Sequence, residues 1–135
     1  MISKIALLSL LLLSIASNAD TASDIKQVVL DNLKYIQAED IENSMATMHS
    51  QSPSYMATEE MLQQLLPIYD LKYEILKYSY IGEDDEYAYA KVLQKTSKIS
   101  GPAFQTNKLE ALQVFKKENG VWKLWTQANL SILFN

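Results

Sequence analysis

No stretch of the chain limits its possible folds more than the last third, Asn107 to Asn135, which reads as one long β-hairpin. Leu109 to Phe115 and Val121 to Thr126 alternate in the manner of strands, and Glu118-Asn119-Gly120 between them supplies the left-handed positions of a tight turn. A two-residue turn at Asn119-Gly120 pairs Phe115 with Leu124, Gln113 with Thr126 and Ala111 with Ala128 on one face, and Val114 with Trp125 and Leu112 with Gln127 on the other. A three-residue turn is the alternative and changes these pairings. Together with a helical first half, the hairpin indicates an α+β domain: N-terminal helices packed on a curved antiparallel sheet.

The helices are read from periodicity. Ile25, Val28, Val29, Leu33 and Ile36 recur at helical spacing behind the capping candidates Thr21 and Ser23. After a break at Ala38-Glu39, Asp40 can cap a short second helix with Ile41, Met45 and Met48 as its apolar stripe. Thr58-Glu59-Glu60 reads as the start of a third, which Met61, Leu62, Leu65 and Leu66 carry to Pro67. From Leu71 the period changes: Leu71 to Ile81 and Tyr87 to Ile99 are aromatic and β-branched, joined by the acidic turn Gly82 to Glu86. The order is therefore three helices and then four strands.

Residues 1–19 carry a single charge, Lys4, then the apolar run Ile5 to Ala16 and the small residues Ser17 and Ala19 before Asp20. That is the pattern of a secretory signal peptide, and its core is too short for a bilayer of about 30 Å, which needs roughly 20 apolar residues. Cleavage before Asp20 leaves 116 of the 135 residues as one domain, 20–135, periplasmic or secreted and with no membrane segment. The mature part holds eleven lysines against sixteen acids, a net charge of −5, which disfavours nucleic acid and anionic membranes. There is no cysteine, hence no disulfide framework and no thiolate chemistry. There is also no arginine to form a bidentate fork on phosphate or carboxylate.

At this point two stretches carry a resemblance: Ala38-Glu39-Asp40 at the helix junction, and Val114 to Leu124 around the hairpin turn. With the element order, they resemble the nuclear transport factor 2-like (NTF2-like) superfamily, which includes ketosteroid isomerases and SnoaL-like polyketide cyclases, here as a small secreted bacterial member. The resemblance covers Asp24 to Ile132 and implies a cone-shaped fold with a pocket between sheet and helices. It implies no single activity, because members use that pocket for unrelated chemistry, for binding and for scaffolding. Relative to ketosteroid isomerases, Asn32 stands where an oxyanion-binding tyrosine is carried and Met56 near the place of the general-base aspartate. Neither residue type is present. The Asp-Arg-Asp site of the superfamily's epoxide hydrolases requires an arginine.

The candidate pocket comprises Asn32, Ile36, Met48, Phe115, Trp122, Leu124 and Thr126, with Asn32 interrupting the apolar stripe of the first helix. His49 is the one side chain whose ordinary pKa lies near neutrality, which makes it the catalytic candidate; a capping or solvated histidine at a helix end is the competing role. Eight tyrosines could line a pocket for a flat or sugar-like ligand, or pack as ordinary strand residues. Ligands for a metal are too few, and no cofactor is indicated: one histidine, no cysteine, and an acidic turn without calcium-loop spacing. Leu112, Val114, Trp125 and Gln127 would form an apolar outer face suited to a homodimer, against which the opposed Lys116 and Lys123 weigh. The reading is a non-enzymatic module that binds a small apolar or aromatic ligand or serves as an accessory domain. A small isomerase, dehydratase or hydrolase is one alternative; a protein-interaction or inhibitor module is another.

Overall fold

A computed structural model describes residues 18–135. Three helices, α1 (Asn18–Gln37), α2 (Ile41–Ala46) and α3 (Tyr55–Leu65), precede four strands, β1 (Asp70–Glu83), β2 (Tyr87–Ser100), β3 (Asn107–Glu118) and β4 (Val121–Phe134). The strands form an antiparallel meander in the order β1-β2-β3-β4. The molecule is thus the α+β arrangement expected, an NTF2-like cone. The segment 1–19 read from sequence as a signal peptide lies, but for its last two residues, outside the described residues. Among the described residues no helix is long and apolar enough to cross a membrane.

Two helices begin earlier than their caps suggest. α1 starts at Asn18, so Thr21 and Ser23 lie inside it, and α3 starts at Tyr55 just after Pro53-Ser54 rather than at Thr58. The α1–α2 junction follows its sequence. Glu39 takes a left-handed φ of 57°, the Asp40 N–H reaches back to the Tyr35 carbonyl at 2.9 Å, and the Asp40 carboxylate caps α2 by accepting from Asn43 N at 3.1 Å.

The β3–β4 turn has two residues, Asn119 (φ 50°) and Gly120 (φ 79°), closed by the pair Glu118–Val121. Phe115 faces Leu124 and Lys116 faces Lys123, but the register then slips. Trp125 is an extra residue in β4, so Val114 meets Thr126, Gln113 meets Gln127, Leu112 meets Ala128 and Ala111 meets Asn129. A second slip beside Leu130 sets Glu110 against Ser131. These bulges, with others in β1, bend the sheet around the helices, and each reverses which face the following residues occupy.

Two apolar clusters hold the layers together. Ile25 and Val29 of α1 pack on Ala88, Ala90, Val92, Phe115 and Trp122 of the sheet. Met45, Met48, Leu62 and Leu66 form the second cluster among the helices, and Leu124 touches both. Helix α3 packs chiefly on α2, so its apolar side faces the sheet across open space.

Candidate functional site

That space is a cavity of about 440 Å³. Its helical wall is mostly apolar along α3 (Met61, Leu62, Leu65, with Thr58 and the preceding Ser54) and mixed along α1 and α2, where Asn32, Ile36, Ser44 and Met45 contribute, with Met48 just beyond α2. Its sheet wall comprises Tyr73 of β1, Val92 and Gln94 of β2, Leu109, Ala111 and Gln113 of β3, and Leu124, Thr126, Gln127 and Asn129 of β4. No lysine, aspartate, glutamate or histidine lines it. The cavity therefore combines a largely apolar roof with a floor of apolar and uncharged hydrogen-bonding side chains.

Five of the seven pocket candidates, Asn32, Ile36, Met48, Leu124 and Thr126, line this cavity. Phe115 and Trp122 do not. Both are buried in the α1–sheet cluster, Phe115 completely, because α1 lies directly over the turn-proximal half of the hairpin and leaves no room there. Trp122 instead borders a second, shallower groove between α1, α2 and β4. The Asn32 amide donates to Thr47 Oγ1 at 2.9 Å and Ser44 Oγ at 3.4 Å, tying α1 to α2. Of the tyrosines, Tyr73 alone lines the cavity. The hydroxyls of Tyr73, Tyr78 and Tyr80 are buried without a protein partner, and burial, with Glu39 nearby, raises the Tyr73 pKa above its usual value.

His49 is not a cavity residue. Its ring stands edge-on to Trp125 with centroids 5.0 Å apart, in the segment Thr47 to Ser52 that covers the edge of β4. That segment is fastened by Leu124 N–H to the Thr47 carbonyl (2.9 Å), His49 N–H to the Leu124 carbonyl (2.8 Å) and Ser52 Oγ to the Trp125 carbonyl. The His49 Nδ1 accepts from Gln51 N–H at 3.0 Å, which places the proton of the neutral ring on Nε2. Glu118 secures the same segment by accepting from the Ser50 hydroxyl and from Ser50 N–H at 3.2 Å.

These bonds from Ser50, the hydroxyl first, hold the Glu118 carboxyl below its ordinary value, with smaller help from His49 and Lys123. A carboxyl depressed on folding stabilises above its unfolded pKa, and that contribution is lost as pH falls through the folded one. Melting temperature followed from pH 7 to pH 3 should therefore drop below about pH 4.5, and Glu118→Gln should flatten that acid limb. An unchanged acid limb in the variant would show that Glu118 does not fasten the segment.

The four residues assigned to a dimer face are not all on one face. Leu112 and Val114 are half-buried on the outer side, and Trp125 is covered by His49, by Tyr87 at 6.5 Å and by the Lys116 ammonium 4.6 Å from its ring. The bulge at Trp125 turns Gln127, with Asn129, to the cavity side. Lys116 and Lys123 are opposed but diverge, Lys116 to Glu86 at 3.2 Å and Lys123 to the Ala46 carbonyl.

A family model described as "Anti-sigma-I factor RsgI9, C-terminal domain" matches residues 27–134. The chain belongs to this family. No curated protein matches it. Among solved structures, this RsgI9 C-terminal-type domain is similar to a conserved protein from Planctomyces limnophilus (17% identity, 87% of this chain, 99% of that one, TM-score 0.73). It is also similar to an NTF2-like protein of unknown function from Pseudomonas putida (15%, 81% and 84%, 0.66). A third similar structure is a Novosphingobium aromaticivorans protein described as a scytalone dehydratase (11%, 86% and 88%, 0.68). These likenesses establish the NTF2-like fold of the RsgI9 C-terminal-type domain.

Sequence reasoning missed the residues that give the floor its character: Gln94, Gln113, Gln127 and Asn129. Gln94 and Gln113 sit two residues from Val92 and from Ala111 and Phe115, so strand alternation alone could have placed them inward. Gln127 and Asn129 carried no such signal, because a bulge decides their face.

Proposed function

We propose that this chain is an exported, non-enzymatic module that holds a small molecule between its helices and its sheet. The observation that carries the reading is the cavity of about 440 Å³, mostly Leu and Met on its α3 side and a mix of apolar residues and uncharged amides on its sheet side. A ligand-sized space with a few convergent polar groups suits binding, whereas general acid–base work calls for a titratable group poised near neutrality at the reacting centre. The single histidine packs against Trp125, away from the lining, and burial moves the Tyr73 pKa still further above neutrality. The family's description as the C-terminal domain of an anti-sigma factor agrees with an accessory role, in which occupancy of the cavity is communicated to another part of a regulatory system. Export is supported by the apolar leader ending in Ser17-Asn18-Ala19.

Native mass spectrometry of the protein recovered from outside the host's cytoplasm tests both parts. The expected spectrum is that of a chain beginning at Asp20 with a small molecule attached that denaturation releases. A full-length cytoplasmic product would refute export; protein that stays empty when offered the host's small-molecule extract would refute binding.

A further inference from the structure

Three carboxamides of the cavity's sheet wall form a connected row. Gln113 Nε2 donates to Gln127 Oε1 at 3.0 Å, and Gln127 Nε2 donates to Asn129 Oδ1 at 2.9 Å. Each link uses one donor and one acceptor, so the row keeps its Gln113 carbonyl oxygen at one end and the Asn129 N–H groups at the other for a further partner. Asn32, across the cavity, spends both N–H groups on Ser44 and Thr47 and offers its carbonyl oxygen. Donors and acceptors therefore alternate over one wall, opposite the apolar side of Met61, Leu62 and Leu65. No ionised group lines the space, and the chain has no arginine anywhere. Gln127 and Asn129 stay open to solvent, and an ion lodged between this row and α3 gives up part of its hydration without gaining a counter-charge. A neutral group with both a carbonyl and an N–H completes the row at no such cost.

We infer that the ligand is uncharged and amphipathic, a flat apolar body under α3 with a carboxamide-like edge on the Gln113–Gln127–Asn129 row. This rests on the binding reading above and adds the ligand's chemical class. Three near-isosteric probes separate it from charged alternatives: 2-naphthamide (neutral), 2-naphthoate (anion) and 2-naphthamidine (cation), each titrated calorimetrically into the protein. The amide is expected to bind at least about tenfold more tightly than either ion, and Gln127→Leu to remove most of that preference. Gln127 is exposed, so the variant's melting temperature should match the parent's. An ion bound as tightly as the amide, or a preference unchanged in Gln127→Leu, overturns the inference and leaves the binding reading standing. Where none of the probes binds, the molecule isolated with the protein decides. An uncharged carbonyl compound sustains the inference, an acid or amine overturns it, and protein that holds no molecule removes the binding reading as well.

Discussion

Phe115→Ala is expected to cost about 3–5 kcal/mol of folding stability, the range for truncating a large aromatic side chain in a well-packed core. Phe115 is completely buried among Ile25, Val29, Ala88, Ala90, Val92 and Trp122. These neighbours come from α1, β2 and β4, so none can close over the space without moving a whole element. A domain of this size has about 5–15 kcal/mol in total, so the loss is a large share of it. Urea unfolding followed by tryptophan fluorescence measures the change as a shift in midpoint at constant slope. A loss below about 1 kcal/mol would place Phe115 beside open space, as the sequence-based pocket had it, and would contradict the packing described.

Ala111→Phe is expected to abolish ligand binding while leaving the fold intact. Ala111 lies in the cavity floor between Val92 and Asn129, its partners across β2 and β4, and its own side chain is buried. A benzyl group there has the cavity to extend into, so the stability cost should stay within about 1–3 kcal/mol, the range for adding bulk at a buried position. Affinity for any ligand retained by the parent protein should fall at least about a hundredfold, equivalent to roughly 2.8 kcal/mol. Calorimetric titration of parent and variant with 2-naphthamide, beside thermal melts of both, provides the check. Undiminished affinity in a folded variant would mean that ligands bind elsewhere, with the shallower groove bordered by Trp122 the next place to examine.

Periodicity and turn chemistry sufficed for most of the architecture, because both are local. Ile25 and Val29 point to the core from their spacing alone, the Asn119-Gly120 turn has the left-handed backbone that its residues favour, and Asp40 caps α2 as its position suggests. The apolar run near the start, the charge balance and the lack of cysteine and arginine are likewise properties of the chain as written. The candidate site was legible only in part. Asn32, Ile36 and Met48 were found because helical periodicity carries them to the inner side of α1 and the following turn. Phe115 and Trp122 share a strand face with Leu124, and no sequence signal tells a filled part of that face from an empty one. What separates them is where α1 and α3 come to rest: α1 seals one end of the sheet, and α3, packing on α2, stands away from the other. The extra residues at Trp125 and Leu130 were equally hidden, since a bulge is a choice of hydrogen-bond register between two strands and changes neither composition nor local propensity. Sequence by itself determined the elements, their order and the chemistry, free of arginine and cysteine, available to any site. Tertiary structure alone decided which side of β4 carries Gln127 and Asn129, and so moved Gln127 from an expected outer face to the floor of a cavity, because facing in a strand depends on counting residues from a partner the sequence does not specify.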